Sequence, residues 1–230
     1  MSNKTDIKGD GNEILQDITN STITIIRNGQ EKTIYKHLGS IPTYPELFIG
    51  RDNEVETIHQ SLTTKKNILL LVNGKGGIGK TTLASKYYYE YRKYYQHLVW
   101  VFSGISIIEA LLTLKTPLAI DFPAENNSEQ NLPILLQAMA ELNEPCLLII
   151  DNANELAGIQ KYHGALLQCS NFHILLTTRI NKKIHNTELY QVKPLYKIAA
   201  LSLFKKHYSE HDHSEDELFF TLFQKMRIKS

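Results

Sequence analysis

Apolar runs of strand length recur along the chain, separated by segments whose apolar residues follow a helical period. Ile68–Val72 and residues 98–102, 146–150 and 172–176 are almost unbroken apolar stretches, the pattern of strands covered on both faces. Residues 189–192 form a shorter fifth run, stopped by Pro194. Between these runs the period changes. Val55, Ile58 and Leu62 fall at i, i+3 and i+7 behind a capping Asp52 or Asn53, which predicts a helix. Further helices are predicted from Lys80 to about Tyr95, from Ile105 to Leu114, and from Glu155 to Cys169. Another opens at Ser128 with Asn131, presents Leu132, Leu135, Leu136, Met139 and Leu142, and stops before Pro145. Strands alternating with helices imply an α/β fold, a parallel sheet with helices on both faces.

The two ends of the chain differ from this middle. Residues 1–36 carry a turn cluster at Gly9-Asp10-Gly11-Asn12, a β-branched run at residues 21–26 and a second turn at Asn28-Gly29, which predicts two or three short strands. This N-terminal β segment is too small and polar to hold a core alone, so it is expected to be mobile, to dock on the main domain or to pair with another chain. Its pattern also resembles the leader of some bacterial signalling proteins. Residues 196–230 are helical, with Ile198, Leu201 and Phe204 on one face and Leu218, Leu222, Phe223 and Met226 on another. The expected organisation is therefore 1–36, a main domain over 37–195, and a C-terminal helical segment over 196–230.

Composition narrows the class without naming it. The 230 residues carry 25 Lys and Arg against 24 Asp and Glu, so no global charge points to a nucleic-acid coat or a membrane surface. With only Cys146 and Cys169, neither a disulfide framework nor a zinc site is expected. No apolar run reaches membrane-spanning length and the N-terminus lacks a signal core, so a cytoplasmic protein is expected.

The chemistry centres on Gly74-Lys75-Gly76-Gly77-Ile78-Gly79-Lys80-Thr81-Thr82. It fits G-x-x-x-x-G-K-[ST] between a buried-type strand and a helix, the setting of a phosphate-binding loop. Glycines let the backbone adopt positive φ and aim several N–H groups at one anion. Lys80 is expected on the β and γ phosphates, Thr81 on Mg²⁺, and the helix start adds its positive dipole end.

Asp151 stands at the tip of a hydrophobic strand, where it can hold Mg²⁺ beside Thr81; capping the next helix is the plainer alternative. A hydrolase ordinarily needs a second carboxylate to deprotonate water, and Asn152 cannot accept that proton. Glu155 is unfavourably spaced for the task, so slow hydrolysis is expected. Arg179, at the end of the next strand, offers a fork of donors that can distinguish ATP from ADP through the γ-phosphate. The tyrosine-rich run of residues 87–95 could stack bases, but at helical spacing it reads first as packing with polar tips outward. The His207–His213 stretch matches no usual zinc spacing.

Taken in order, Phe48-Ile49-Gly50-Arg51 with Glu54, the glycine loop through Ala84, Leu98-Val99-Trp100-Val101, residues 147–153, residues 174–179, Pro194-Leu195 and residues 200–204 resemble the NB-ARC type of STAND NTPases. The resemblance covers roughly residues 46–206. It implies a P-loop NTPase with a five-stranded parallel sheet in the order 5-1-4-3-2, and a nucleotide-operated switch in which ADP locks a closed monomer and ATP permits oligomerisation. It also implies that Ile49 and Arg51 lie against the adenine and that Arg179 senses the γ-phosphate. The resulting expectation has Lys80, Asp151 and Arg179 as the reactive group. Nucleotide would be held by Ile49, Arg51, Gly74, Gly76, Gly77, Ile78, Gly79, Lys80, Thr81 and Thr82, and metal by Thr81 and Asp151. ATP or ADP with Mg²⁺ would be the ligands, and a protein partner or self-association would complete the switch, without nucleic acid or membrane. Family members continue into further helical and winged-helix domains, so a chain ending at Ser230 reads as truncated or as a short member working with a partner.

Two other classes compete with this reading. Lys75-Gly76-Gly77-Ile78-Gly79-Lys80-Thr81 is similar to the deviant loop of the ParA and MinD partition ATPases, although that group places the loop at the N-terminus. A protein-interaction fragment that does not hydrolyse nucleotide is the other.

Overall fold

In the computed structural model, the described residues are 22–27, 30–64, 68–72, 76–143, 145–182, 184–208 and 216–228. The chain turns of the N-terminal segment, at Gly9–Asn12 and Asn28-Gly29, lie outside them, as does most of the His207–His213 stretch.

The first two strands, β1 (Thr22–Arg27) and β2 (Gln30–Tyr35), pair antiparallel as a separate two-stranded sheet. The main sheet has six strands, all paired parallel. They are β3 (His37–Gly39), β4 (Ile68–Val72), β5 (His97–Phe102), β6 (Cys146–Asp151), β7 (Phe172–Thr178) and β8 (Thr187–Gln191), in spatial order β3-β5-β6-β7-β4-β8. The expected count of five is corrected to six: β3 adds an edge beyond β5. Its three residues are too short to show a period, and it is fixed by backbone bonds, Leu98 N to Lys36 O at 2.7 Å and Ser40 N to Trp100 O at 2.9 Å. Ile34, just before it, is fully buried in the main core.

Alternation along the strands divides their side chains between two cores. Val99, Val101, Leu148, Ile150, Ile174 and Leu176 face one side. They pack there against α3 (Ile107–Leu112, continued by a 3₁₀ turn), α4 (Ser128–Ala140) and α5 (Leu156–Leu166). Leu98, Trp100, Leu147, Ile149 and Leu175 face the other, covered by α1 (Asp52–Thr64) and α2 (Lys80–Tyr91). Both faces are covered, which is why β6 is buried over its whole length. α1 buries Val55, Ile58 and Leu62, as their spacing requires. α4 opens at Ser128, as expected, behind Asn127, which caps it: its side chain accepts from Gln130 N at 3.0 Å while Gln130 Oε1 accepts from Asn127 N. α6 (Lys197–His207) and α7 (Asp216–Ile228) follow, joined by the Lys205–Asp216 ion pair at 2.9 Å.

Because every strand of this sheet runs the same way, the ends of β4, β6 and β7 lie side by side. The register sets Val72 opposite Thr178 and Phe102 opposite Asp151. Chemistry-bearing residues far apart in sequence are thereby brought to one edge, the usual ligand edge of an open α/β sheet.

Candidate phosphate-binding site

The loop after β4 is described from Gly76 onward; Gly74 and Lys75 lie outside the described residues. Gly77 and Gly79 have φ of +76° and +94°, so the loop needs residues without a Cβ at both points to curl into the start of α2. α2 then begins at once, Leu83 N bonding Gly79 O at 2.9 Å. The N–H groups of a first helical turn have no intrahelical acceptor, and here they face the same cleft as the loop.

That cleft measures about 240 Å³. Its floor is Gly76, Gly77 and Gly79, one wall is Lys80, Thr81 and Thr82, and the other is Asn152, Asn154, Thr177, Thr178 and Arg179. Lys80 is nearly buried, and its ammonium is held below the ordinary lysine value, first by burial and then by the positive charge of Arg179; Asp151 opposes both effects. The Arg179 guanidinium lies across the loop, its Nη2 within 3.6 Å of where a Cβ on Gly76 would stand. Two cations thus crowd one small cleft beside a helix start, a charge arrangement that an anion relieves.

Below them the carboxylate of Asp151 is buried. Its Oδ1 accepts from Thr81 Oγ1 at 2.9 Å and from Thr177 Oγ1 at 2.5 Å. Thr81 and Asp151, the pair expected to hold metal, are thus brought together as two neighbouring oxygen donors. Among the described residues no cluster of three or more His, Cys, Asp or Glu could hold an ion. A two-donor site fits Mg²⁺, which keeps several waters and takes the rest of its shell from substrate phosphates.

Arg51 sits differently from a residue that opens onto a ligand. It is 7% exposed, and its Nη1 bonds both carboxylate oxygens of Glu54 at 3.2 and 3.0 Å. Its Nη2 donates to Ile78 O at 2.8 Å and to Lys193 O at 3.0 Å. It clamps the start of α1, the glycine loop and the segment after β8 to one another. Ile78 contributes this carbonyl and packs its side chain on the α1–α2 core rather than lining the cleft. Ile49 is half-buried next to Gly50, whose φ is +73° and where an added Cβ would meet Ala199 Cβ at 2.5 Å. The segment before α1 is thus pressed against α6 at a point only glycine allows.

Asn152 follows Asp151 in the left-handed region, with φ of +63°, a conformation asparagine tolerates better than most residues. Glu155 turns away from the cleft: its Oε2 lies 3.0 Å from where a Cβ on Gly158 of its own helix would be. Two residues that sequence reasoning did not single out belong to the site, Thr177 and Asn154. Thr177 was hidden inside the β7 run. Asn154, two residues after another asparagine at a strand end, carries an Asx-turn signal that could have identified it. A neighbouring cleft of about 660 Å³ shares Thr81 and Thr82 and is walled by residues 41–47, Ser85, Trp100, Asp151 and His207. Among the described residues no helix is long and apolar enough to cross a membrane.

Comparison with known proteins agrees with this geometry. The family model described as the NB-ARC domain matches residues 51–214. A probable disease resistance protein of Arabidopsis thaliana is 26% identical over 173 residues, covering 70% of this chain and 20% of the relative. The chain therefore spans about a fifth of that relative's length. Among solved structures, a signal-transduction ATPase with numerous domains (STAND) and a tetratricopeptide-repeat sensor, from Pyrococcus horikoshii, superposes with a TM-score of 0.55 at 20% identity, over 79% of this chain and 29% of that one. The Orc1 protein of Aeropyrum pernix, solved with DNA, gives 0.52 at 13% identity, over 73% of this chain and 51% of its own. A Walker-type ATPase of Pyrococcus abyssi gives 0.51 at 15% identity, over 80% of this chain and 65% of its own. At these identities the structures establish a shared P-loop NTPase fold and nothing finer.

Proposed function

The chain belongs to the NB-ARC family, and from that premise we propose that it is the adenine-nucleotide switch module of a STAND-type signalling protein, with ATP and ADP as the ligands it tells apart. The observation that carries this reading is the convergence of Lys80 and Arg179 on the glycine loop, two cations held against each other's charge in a cleft of about 240 Å³. In this reading Lys80 and the helix start hold the β-phosphate and Arg179 meets the γ-phosphate, so ATP gains a contact that ADP lacks. Thr81 and Asp151 would hold Mg²⁺, which when bound offsets charge on the phosphate oxygens. Ile49 supplies an apolar wall for the adenine, and Arg51 fixes that segment to the loop. In this reading the nucleotide-binding unit spans residues 37–195.

Hydrolysis is expected to be slow. Asn152 offers an amide where a base is needed, and the Glu155 carboxylate lies over its own helix. A switch of this kind needs a second surface to read it, so a protein partner or self-association, a cytoplasmic setting and, by analogy with the Arabidopsis relative, a part in defence belong to the same proposal. The partition-ATPase alternative loses its ground with the NB-ARC match over residues 51–214. The DNA of the Orc1 structure is that protein's ligand and gives no reason to expect nucleic acid here.

Calorimetric titration of ADP and of ATP with Mg²⁺ into the 230-residue chain, with phosphate release followed in parallel, tests the reading. Both nucleotides should bind with phosphate released slowly, and Lys80→Ala should weaken both by about a hundredfold or more, the loss of a close, partly screened ion pair. If the unaltered chain binds neither, the switch reading is wrong and the interaction-fragment reading takes its place.

A further inference from the structure

The end of β6 and the end of β7 are tied together by side chains of the segment between Asp151 and Asn154. Asn154 stands at the far end of this chain of bonds. Its Nδ2 donates to Asn152 Oδ1 at 2.5 Å, and its Oδ1 accepts from the backbone N–H of Arg179 at 2.8 Å. Asn154 N also donates to Asn152 O at 2.8 Å, closing a tight turn about the left-handed Asn152. From Asn152 the connection runs back to the metal position: Asn152 N donates to Thr177 Oγ1 at 2.9 Å, and Thr177 Oγ1 donates to the same Asp151 Oδ1 that accepts from Thr81.

We propose that Asn154 is the positioning residue for Arg179, fixing the origin of its side chain so that the guanidinium stays over Gly76, and that it thereby sets the preference of the site for ATP over ADP. This rests on the reading of Arg179 as the γ-phosphate contact.

The physical need for such a residue is plain. Arg179 is exposed and follows the last residue of β7, so the sheet ladder no longer holds its backbone. An arginine side chain is long and has many rotamers to order. If its backbone also wanders, meeting one phosphate costs more order than the contact returns. The Asn154 bond removes the backbone part of that freedom: although Asn154 lines the cleft, its Oδ1 is committed to the Arg179 N–H and its Nδ2 to Asn152 Oδ1. It acts through the one group that tells ATP from ADP, and the loop N–H groups and Lys80, which meet both nucleotides, do not depend on it. The connection through Thr177 further ties the location of Arg179 to Asp151, the residue that would hold Mg²⁺.

The test is calorimetric affinity for ADP and for the non-hydrolysable analogue AMPPNP, each with Mg²⁺, in the full chain and in Asn154→Ala, Arg179→Ala and the double variant. Asn154→Ala should weaken AMPPNP about fivefold to tenfold while leaving ADP within about twofold, with an unchanged thermal midpoint. The double variant should match Arg179→Ala, because the two changes act on one contact. A variant that merely disturbed the fold would weaken both nucleotides and lower the midpoint, and that outcome overturns the proposal. It is equally overturned if Arg179→Ala is selective for AMPPNP while Asn154→Ala is silent, or if the two effects multiply; in those cases the switch reading stands. If Arg179→Ala weakens both nucleotides alike or neither, the reading of Arg179 as sensor fails, and the role of Asn154 fails with it.

Discussion

The two ends of α2 solve different problems with the same backbone. Its first turn, Lys80-Thr81-Thr82, faces the cleft and works through charge and short polar bonds. The remainder sends Leu83, Ala84, Tyr87, Tyr88 and Tyr89 into a core shared with α1 and the sheet. That rear region is aromatic and polar at once. His59 stacks on Tyr91 with ring centroids 3.8 Å apart, and a continuous set of bonds runs from His59 Nδ1 to Tyr87 Oη, Tyr95 Oη and His173 Nδ1. Burial holds the Tyr87 and Tyr95 phenols well above the ordinary tyrosine range; the shared hydrogen bond adds to this at Tyr87 and opposes it at Tyr95 without reversing it, so these hydroxyls stay protonated and their bonds stay made. The difference teaches that the front of the helix is placed by its rear: precision at Lys80 comes from packing that never meets the ligand. Substitutions at the rear should therefore change stability and those at the front affinity.

The strongest way to break this division is Tyr87→Ala. Tyr87 is fully buried with its hydroxyl bonded on two sides, so the variant loses its packing and leaves a cavity, at a cost of about 4 kcal/mol. Urea unfolding should show that loss, while ADP affinity in the fraction still folded should stay within about twofold. A parallel fall in affinity would mean that the rear is part of the binding machinery.

Arg51→Ala probes the seam between the regions. It would leave the Ile78 carbonyl and the Glu54 carboxylate without this partner, a cost on the order of 2–3 kcal/mol for removing one side of a largely buried charged network. Because the clamp holds the loop backbone, ATP and ADP affinity should fall together, measurable in the same titration. A selective loss of ATP would place Arg51 at the γ-phosphate instead.

What could be read from the sequence divides along the same line. The strands showed themselves because strands covered on both faces must be continuously apolar, and the glycine loop because its backbone demands glycine and its chemistry demands Lys-Thr. The tyrosine run read correctly as packing, with Tyr87, Tyr88, Tyr89 and Tyr95 buried and Tyr94 exposed, but the expected outward tips are corrected: the Tyr87, Tyr88, Tyr89 and Tyr95 hydroxyls are bonded inside the fold, to one another, to His37 and to Pro42 O. What stayed hidden depends on where side chains meet after folding. β3 is three residues held by backbone bonds. The clamp of Arg51 joins residues up to 142 positions apart. Asn154 acts through one amide on a backbone N–H 25 residues away, and no period or motif encodes that pairing.

The smallest effect concerns protons. His37, on β3, bonds Tyr88 Oη at 2.7 Å from Nδ1. Its imidazole is pushed down to about 4, first by burial and then by the charges of Lys36 and Arg92. Burial also lowers His59 and His97 from their ordinary value. A base whose folded value lies below its unfolded one binds fewer protons when folded, so acid favours the unfolded chain. This contribution is fully present above about pH 6.5 and is lost as pH falls from there toward about 4. For the half-buried His37 ring, with solvent screening allowed for, the loss is on the order of 1 kcal/mol. Thermal unfolding between pH 7.5 and 4.5 should show the midpoint falling on the acid side, and His37→Gln, which keeps a polar partner for Tyr88 but cannot titrate, should flatten that fall without changing ADP affinity at pH 7.5. An unchanged slope in His37→Gln would assign the acid sensitivity to His59 and His97. A change in nucleotide affinity would show instead that the aromatic rear and the charged front are one coupled unit rather than an anchor and a site.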